Sequence, residues 1–238
     1  MQLFCQSHPE VAVLDAVVLD ARPGAVLLGE TPMFPGGGGQ LADRATIVWD
    51  DGEAVIAAMT PDARGWWHEF EAEAEVSGTV QISIDPAFRR LMQELHTLAH
   101  VANAVVFQEF GGALLTGAQL NADATFRLDF DLPGADNNDR LRALDGPIND
   151  AIRQDFPIHA FHMDYDAALA TPGLFRSKSV APPRQDDGQV RIVEIAGLDK
   201  QGCGGTHLAR TGLARAVRVL KVENKGRQNR RVKLGLVG

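Results

Sequence analysis

The sequence predicts an α+β protein: a barrel-like, β-rich domain over residues 1–84, followed over 85–238 by a domain whose helices pack on an antiparallel sheet. Three observations carry this. Short apolar runs divided by turn residues crowd the first third. A helical apolar period begins abruptly at Asp85-Pro86. Beyond it, helical and alternating segments interleave.

Taken in order, 11–14, 16–19, 25–28 and 45–49 are short apolar runs, and Arg22-Pro23-Gly24 and Asp50-Asp51-Gly52 supply turns between them. Val80, Ile82 and Ile84 alternate within a further strand starting near Val76. Asp85 can cap a helix whose first position is Pro86. Leu91, Leu95, Leu98, Ala102 and Val105 then recur at helical spacing, which predicts a long amphipathic helix ended by Gly111-Gly112. Residues 124–132 alternate as a strand, and 138–155 read as a helix interrupted near Gly146-Pro147. The runs 190–195 and 216–222 alternate again, and 182–188 read as an exposed loop.

A chain of 238 residues, 45% hydrophobic, is long enough for one large domain or two small ones. Its first residues lack the basic-then-apolar order of a signal peptide, and no apolar stretch has bilayer length. Cys5 and Cys203 are the only cysteines, so both read as reduced thiols. The expectation is a soluble, cytoplasmic protein with no membrane partner. A net charge of -8 argues against nucleic-acid binding over the whole surface. Yet eight basic residues fall between Arg215 and Lys233, opposed in that stretch only by Glu223. Within them "KGRQNRR" places Lys225, Arg227, Arg230 and Arg231 where a flexible loop could meet phosphates. A solvated basic face is the alternative.

Two motifs carry chemistry. "HTLAH" sets His96 and His100 one helical turn apart on one face. "CGGTH" sets Cys203 and His207 in a segment whose glycines let the backbone turn tightly and approach a ligand. Imidazoles with one thiolate suit tetrahedral Zn²⁺. Each half alone also suits chance, and Cys203 alone suits a small buried side chain. His8, His68, His159 and His162 read as ordinary polar residues.

"HTLAH" with "CGGTHL" resembles the editing domain shared by alanyl- and threonyl-tRNA synthetases. The last block, "VLKVENKGRQNRRVKLGLVG", and "MFPGGGGQLADR" at 33–44 are similar to the alanyl type. The matching segments cover nearly the whole chain in order and leave no room for an ATP-dependent aminoacylation domain. The resemblance is therefore to the freestanding alanyl-tRNA editing group in its longer form with an N-terminal barrel. Against the family pattern, Ala99 stands where a second Thr is usual, Gly36 where Glu is usual, Leu41 where Pro is usual and Ala45 where Gly is usual. These departures bear on substrate choice and leave the metal residues intact.

The resemblance implies hydrolysis of the ester on a mischarged tRNA(Ala), Ser-tRNA(Ala) first and Gly-tRNA(Ala) second, at a zinc site of His96, His100, Cys203 and His207. It brings Thr97 and Gln40 near the reaction, Thr97 as a sensor of the substrate side chain unless its hydroxyl bonds back to its own helix. Gly37, Gly38 and Gly39 resemble the loop that reaches the editing pocket, although four glycines alone would read as a flexible turn. Two alternatives stay open: a zinc hydrolase of another aminoacyl-tRNA or ester, and a non-catalytic, zinc-stabilised RNA-binding module.

Overall fold

The structure is a computed structural model that describes residues 3–71, 74, 76–134, 137–178, 182 and 184–238. Pro183, in the loop expected over 182–188, lies outside the described residues. The chain divides into two compact units. One comprises the residues up to Gly37 with Leu41–Arg90, the other Gly38–Gln40 with the residues from Leu91 onward.

The first unit holds the short helix α1 (Phe4–Ser7) and strands β1 (Val13–Arg22), β2 (Ala25–Leu28), β3 (Ala45–Trp49), β4 (Gly52–Asp62), β5 (Gly65–Phe70) and β6 (Thr79–Ile84). They close into an antiparallel barrel in the order β1-β2-β5-β4-β3-β6. Alternation explains the closure: Val26, Ile47, Val80 and Ile82 turn inward and are buried. The two runs at 11–14 and 16–19 prove to be one strand, β1, with Asp15 on its exposed side between Val13 and Val17. Arg89 and Asp43 form a buried ion pair, with Arg89 Nε 3.0 Å from both carboxylate oxygens. Asp43 also accepts from Phe34 N at 2.6 Å, which fixes both ends of the glycine-rich segment that precedes it.

Helix α2 spans Pro86–Glu109. Asp85 caps it as expected, its Oδ1 accepting from Ala87 N at 2.9 Å and Phe88 N at 3.0 Å. The middle of the helix is enclosed: every residue from Glu94 to Val106 is buried. A helix enclosed on all sides makes the centre of its unit, and polar side chains on it must find internal partners.

Around α2 the second unit has β7 (Leu114–Leu120), β8 (Thr125–Asp131), α3 (Asn137–Arg142), α4 (Asp145–Gln154), β9 (Ile158–Asp164), α5 (Tyr165–Ala170), β10 (Gln189–Ile195), β11 (Asp199–Gly202), a 3₁₀ turn at Thr211–Leu213, β12 (Val217–Lys225) and β13 (Asn229–Leu236). The strands form two antiparallel sheets, β12-β13-β8-β7 and β11-β10-β9. Phe126, Leu128 and Phe130 of β8 alternate inward beside Val232 and Leu234 of β13. The helical break falls at 143–144, before Gly146-Pro147. Pro147 sits in the first turn of α4, where its missing N–H is no loss.

Candidate metal centre

The sequence separates HTLAH from CGGTH, and the fold joins them. His96 and His100 lie on the buried stretch of α2, and Cys203 and His207 follow strand β11. Each of the four residues offers a ligand atom within 4.8 Å of the others, a cluster that could hold a metal ion. Cys203 Sγ is 3.5 Å from His96 Nε2 and 3.3 Å from His207 Nε2. Zinc bonds of about 2.0–2.3 Å put tetrahedral ligand atoms roughly 3.5 Å apart, so the spacing fits such an ion. His96, His100 and Cys203 are buried and His207 is half-buried, so the cluster opens on the His207 side.

Each histidine of the cluster faces a polar side chain. Thr206 N donates to Gln40 Oε1 at 3.0 Å, and Gln40 Nε2 donates to Thr206 Oγ1 at 2.8 Å. This fixes the amide orientation, because a backbone N–H can only donate. Gln40 Oε1 then stands 2.7 Å from His96 Nδ1, which must carry the proton and leave Nε2 free for the cluster. His100 Nδ1 faces Asp199 Oδ2 at 3.4 Å, and His207 Nδ1 faces Thr97 Oγ1 at 3.4 Å.

The loop is shaped by close packing. A Cβ on Gly205 would stand 2.1 Å from His96 Cε1, so no side chain fits there. Arg191 Nη1 donates to Cys203 O and Gly205 O, both at 2.9 Å, and Gly205 N–H points at Cys203 Sγ at 3.4 Å. Burial raises the Cys203 thiol, but the imidazoles of His96, His100 and His207 outweigh it and hold the thiol well below its ordinary value. The sulfur is therefore disposed to be a thiolate, the form that binds metal. Burial lowers His207 to about 3, keeping its ring neutral as a ligand must be. Burial lowers His100 too, but the Cys203 sulfur and the Asp199 carboxylate reverse this and lift it to about 10.

Thr97 Oγ1 lies between the two halves of the cluster, near Leu208 N and His207 Nδ1. The residue is fully buried, and its hydroxyl accepts from Leu208 N at 3.0 Å rather than bonding to its own helix. It holds the CGGTHL segment against α2. Gly39 is pressed on β7: a Cβ would stand 2.8 Å from Ala118 O, and Leu120 N donates to Gly39 O at 2.8 Å. Gly37 and Gly38 are exposed, and a Cβ on either would meet no atom within 4 Å.

The basic tail needs correction. Lys225 and Arg227 are exposed at the β12–β13 turn, but Arg230 and Arg231 belong to strand β13. Arg230 is 4% exposed, and its Nη1 donates to Asn229 O at 2.9 Å. Arg231 forms a two-pronged pair with Asp129 of β8, at 2.6 and 2.8 Å. His68, read as an ordinary polar residue, is fully buried in the barrel with Nε2 2.9 Å from Thr31 Oγ1. Sequence reasoning does not single out Asp199, Gln201 or Arg191. The available signal is period-two spacing, which puts Asp199 and Gln201 on one face of the strand leading into Cys203.

Residues 190–233, which include Cys203 and His207, match the family described as the threonyl and alanyl tRNA synthetase second additional domain. The alanyl-tRNA editing protein AlaX-M of Saccharolobus solfataricus is 32% identical over 87% of this chain and 86% of its own length. The chain belongs to the alanyl-tRNA editing protein family. AlaX-M of Methanosarcina barkeri is 33% identical over 89% of the chain and 88% of its own length. The alanine–tRNA ligase of Mycolicibacterium smegmatis is 28% identical over 90% of the chain, which spans only 24% of that ligase. The family relationship thus covers both the barrel and the unit that carries the four-residue cluster. Among the described residues no helix is long and apolar enough to cross a membrane.

Proposed function

We propose that the chain is a freestanding deacylase of mischarged tRNA(Ala), acting on Ser-tRNA(Ala) first and Gly-tRNA(Ala) second, with Zn²⁺ held by His96, His100, Cys203 and His207. One observation carries the reading: three imidazoles and a thiol converge within 4.8 Å in a chain that matches AlaX-M proteins over nearly its full length. With all four residues bound no tetrahedral position stays open, so polarising a carbonyl or lowering the pKa of bound water to about 7 would require Zn²⁺ to take a fifth partner or to release one of the four.

The protein's own groups do the positioning. Gln40 holds His96, Thr97 ties His207 and Leu208 to α2, and Arg191 braces the carbonyls on either side of Gly204. The half-buried edge at His207 is the side from which an ester would enter. Gly37 and Gly38 carry no side chains to obstruct a terminal ribose, and Lys225 and Arg227 offer cations to the tRNA phosphates. Alanine is smaller than serine, so sparing alanine while removing serine cannot rest on excluding bulk. It requires readout of the hydroxyl, where a polar partner left unpaired costs about 1–3 kcal/mol. The candidates for that readout are Thr97 and the 37–40 loop.

The test is a deacylation panel of Ser-, Gly- and Ala-tRNA(Ala) with seryl-tRNA of the threonine system. Hydrolysis of Ser-tRNA(Ala) with Ala-tRNA(Ala) spared is the expected result. Turnover confined to the threonine-system tRNA would favour another aminoacyl-tRNA substrate. Absence of all turnover would favour a non-catalytic RNA-binding module.

A further inference from the structure

The three histidines of the cluster are backed unequally. His96 faces the neutral Gln40 and His207 faces the neutral Thr97, whereas His100 faces a carboxylate, Asp199 Oδ2, at 3.4 Å. The Asp199 side chain is completely buried. A buried carboxylate persists as an anion only when it is paired and hydrogen-bonded, and Asp199 is both. Arg176 Nη1 donates to its Oδ1 at 2.7 Å, and Gln201 Nε2 donates to its Oδ2 at 2.6 Å. Gln201 is fixed in turn, its Oε1 accepting from Asn103 Nδ2 at 2.9 Å. Arg176 is also held in place, its Nε donating to Gly173 O at 2.8 Å and its guanidinium lying 4.2 Å from the Phe107 ring.

The direction of these bonds is forced. Arginine only donates, so Asp199 accepts from it. The Gln201 amide must turn its oxygen to Asn103 and its NH₂ to Asp199. The arginine and glutamine beside the carboxylate are then donors, and His100 Nδ1 stands 3.4 Å from Oδ2, within ion-pair distance but without hydrogen-bond geometry in this structure. In the neutral ring that a metal requires, an acceptor at that place selects the tautomer with hydrogen on Nδ1 and leaves Nε2 with its lone pair toward the cluster.

We propose that Asp199 is the positioning residue of the centre: it fixes the tautomer and aim of His100 and makes that imidazole the strongest nitrogen donor of the three. The proposal rests on the metal reading above. A carboxylate hydrogen-bonded to a ligand imidazole raises its basicity, and loss of such a partner weakens metal binding about 10- to 100-fold. Asn103, Gln201 and Arg176 matter in this view because they hold the carboxylate in place.

The experiment is zinc affinity by competition with a chelating dye, on the full-length protein and on Asp199→Asn and Asp199→Glu. Asp199→Asn should weaken zinc about 10- to 100-fold while circular dichroism is unchanged, and Asp199→Glu should recover part of the loss. The visible spectrum of the Co²⁺-substituted protein should also shift in Asp199→Asn, because the donor strength of one ligand changes. A wild-type protein that binds no zinc would remove the underlying metal reading. A wild-type protein that binds zinc, with Asp199→Asn matching it in affinity and in cobalt spectrum, would overturn this proposal alone. Should Asp199→Asn not fold, ¹⁵N NMR of the zinc-loaded wild type decides. His100 should show a protonated Nδ1 and a metal-bound Nε2, and the reverse assignment would overturn the proposal.

Discussion

Gln40 and His96 stand 56 residues apart in sequence, yet Gln40 Oε1 lies 2.7 Å from His96 Nδ1. The glycine-rich segment delivers this glutamine, with Gly39 pressed against β7 and Thr206 holding both ends of the amide. Gln40→Leu keeps the bulk and removes both polar atoms. Zinc affinity is expected to fall about 10-fold or more, with a matching loss of deacylation. Metal analysis after dialysis against a weak chelator checks it, and retention of full zinc would show that His96 needs no such partner.

Gly205→Ala is expected to be worse tolerated than Gly38→Ala. Its Cβ would stand 2.1 Å from His96 Cε1, so the loop or the ring must move. Overpacking of this kind costs about 1–3 kcal/mol and here displaces a ligand. Gly38 has open space and a φ of 60°, so alanine there costs only the left-handed backbone, about 1–2 kcal/mol. Zinc content and thermal midpoint of the two variants separate the cases. Equal zinc retention in both would contradict the close packing.

The candidate site is legible in sequence as far as the four residues that cluster. Nitrogen and sulfur donors at helical and loop spacing announce themselves within a few residues, so HTLAH and CGGTH can be paired. The groups that hold them cannot be read that way, because Asp199 and Gln40 reach His100 and His96 only through the folded chain. The tail misleads for the same reason. A run of charge shows its neighbours in sequence, while the partner of Arg231 is Asp129 on the next strand. In the barrel, β2 shows as a continuous buried apolar run, and β3 and β6 show in their buried alternation. Strand β4 does not, since Ile56 alone on it is fully buried and alanines fill much of the rest.

The same correction changes what arginine variants should do. Lys225→Ala and Arg227→Ala are expected to weaken tRNA binding regardless of sequence and to lower the salt slope by about 1 for each phosphate that goes unneutralised. Arg231→Ala should leave that slope in place and instead reduce stability by about 1 kcal/mol, because Asp129 loses its two-pronged partner and keeps only Arg127. Filter binding across a salt series with parallel denaturant unfolding tests this. An altered slope with unchanged stability in Arg231→Ala would reverse the assignment.

Acid should weaken the barrel through His68. Burial lowers its pKa from the ordinary 6.5 to about 4. The folded form therefore resists a proton that the unfolded chain takes up below 6.5. Its contribution is complete above pH 6.5 and is lost as pH falls from there toward 4, by up to about 3 kcal/mol. Unfolding followed between pH 7 and 4 should show less loss in His68→Gln than in wild type. Parallel curves would mean that another group controls acid stability.

The most direct measurement is serine release from Ser-tRNA(Ala) by chelator-stripped protein titrated with Zn²⁺. Deacylation should be lost on stripping, return with added metal and saturate near a single zinc per chain, and His96→Ala and Cys203→Ala should fail to recover it. Full hydrolysis by the stripped protein, or no hydrolysis at zinc saturation, would contradict a metal-dependent deacylase built on His96, His100, Cys203 and His207.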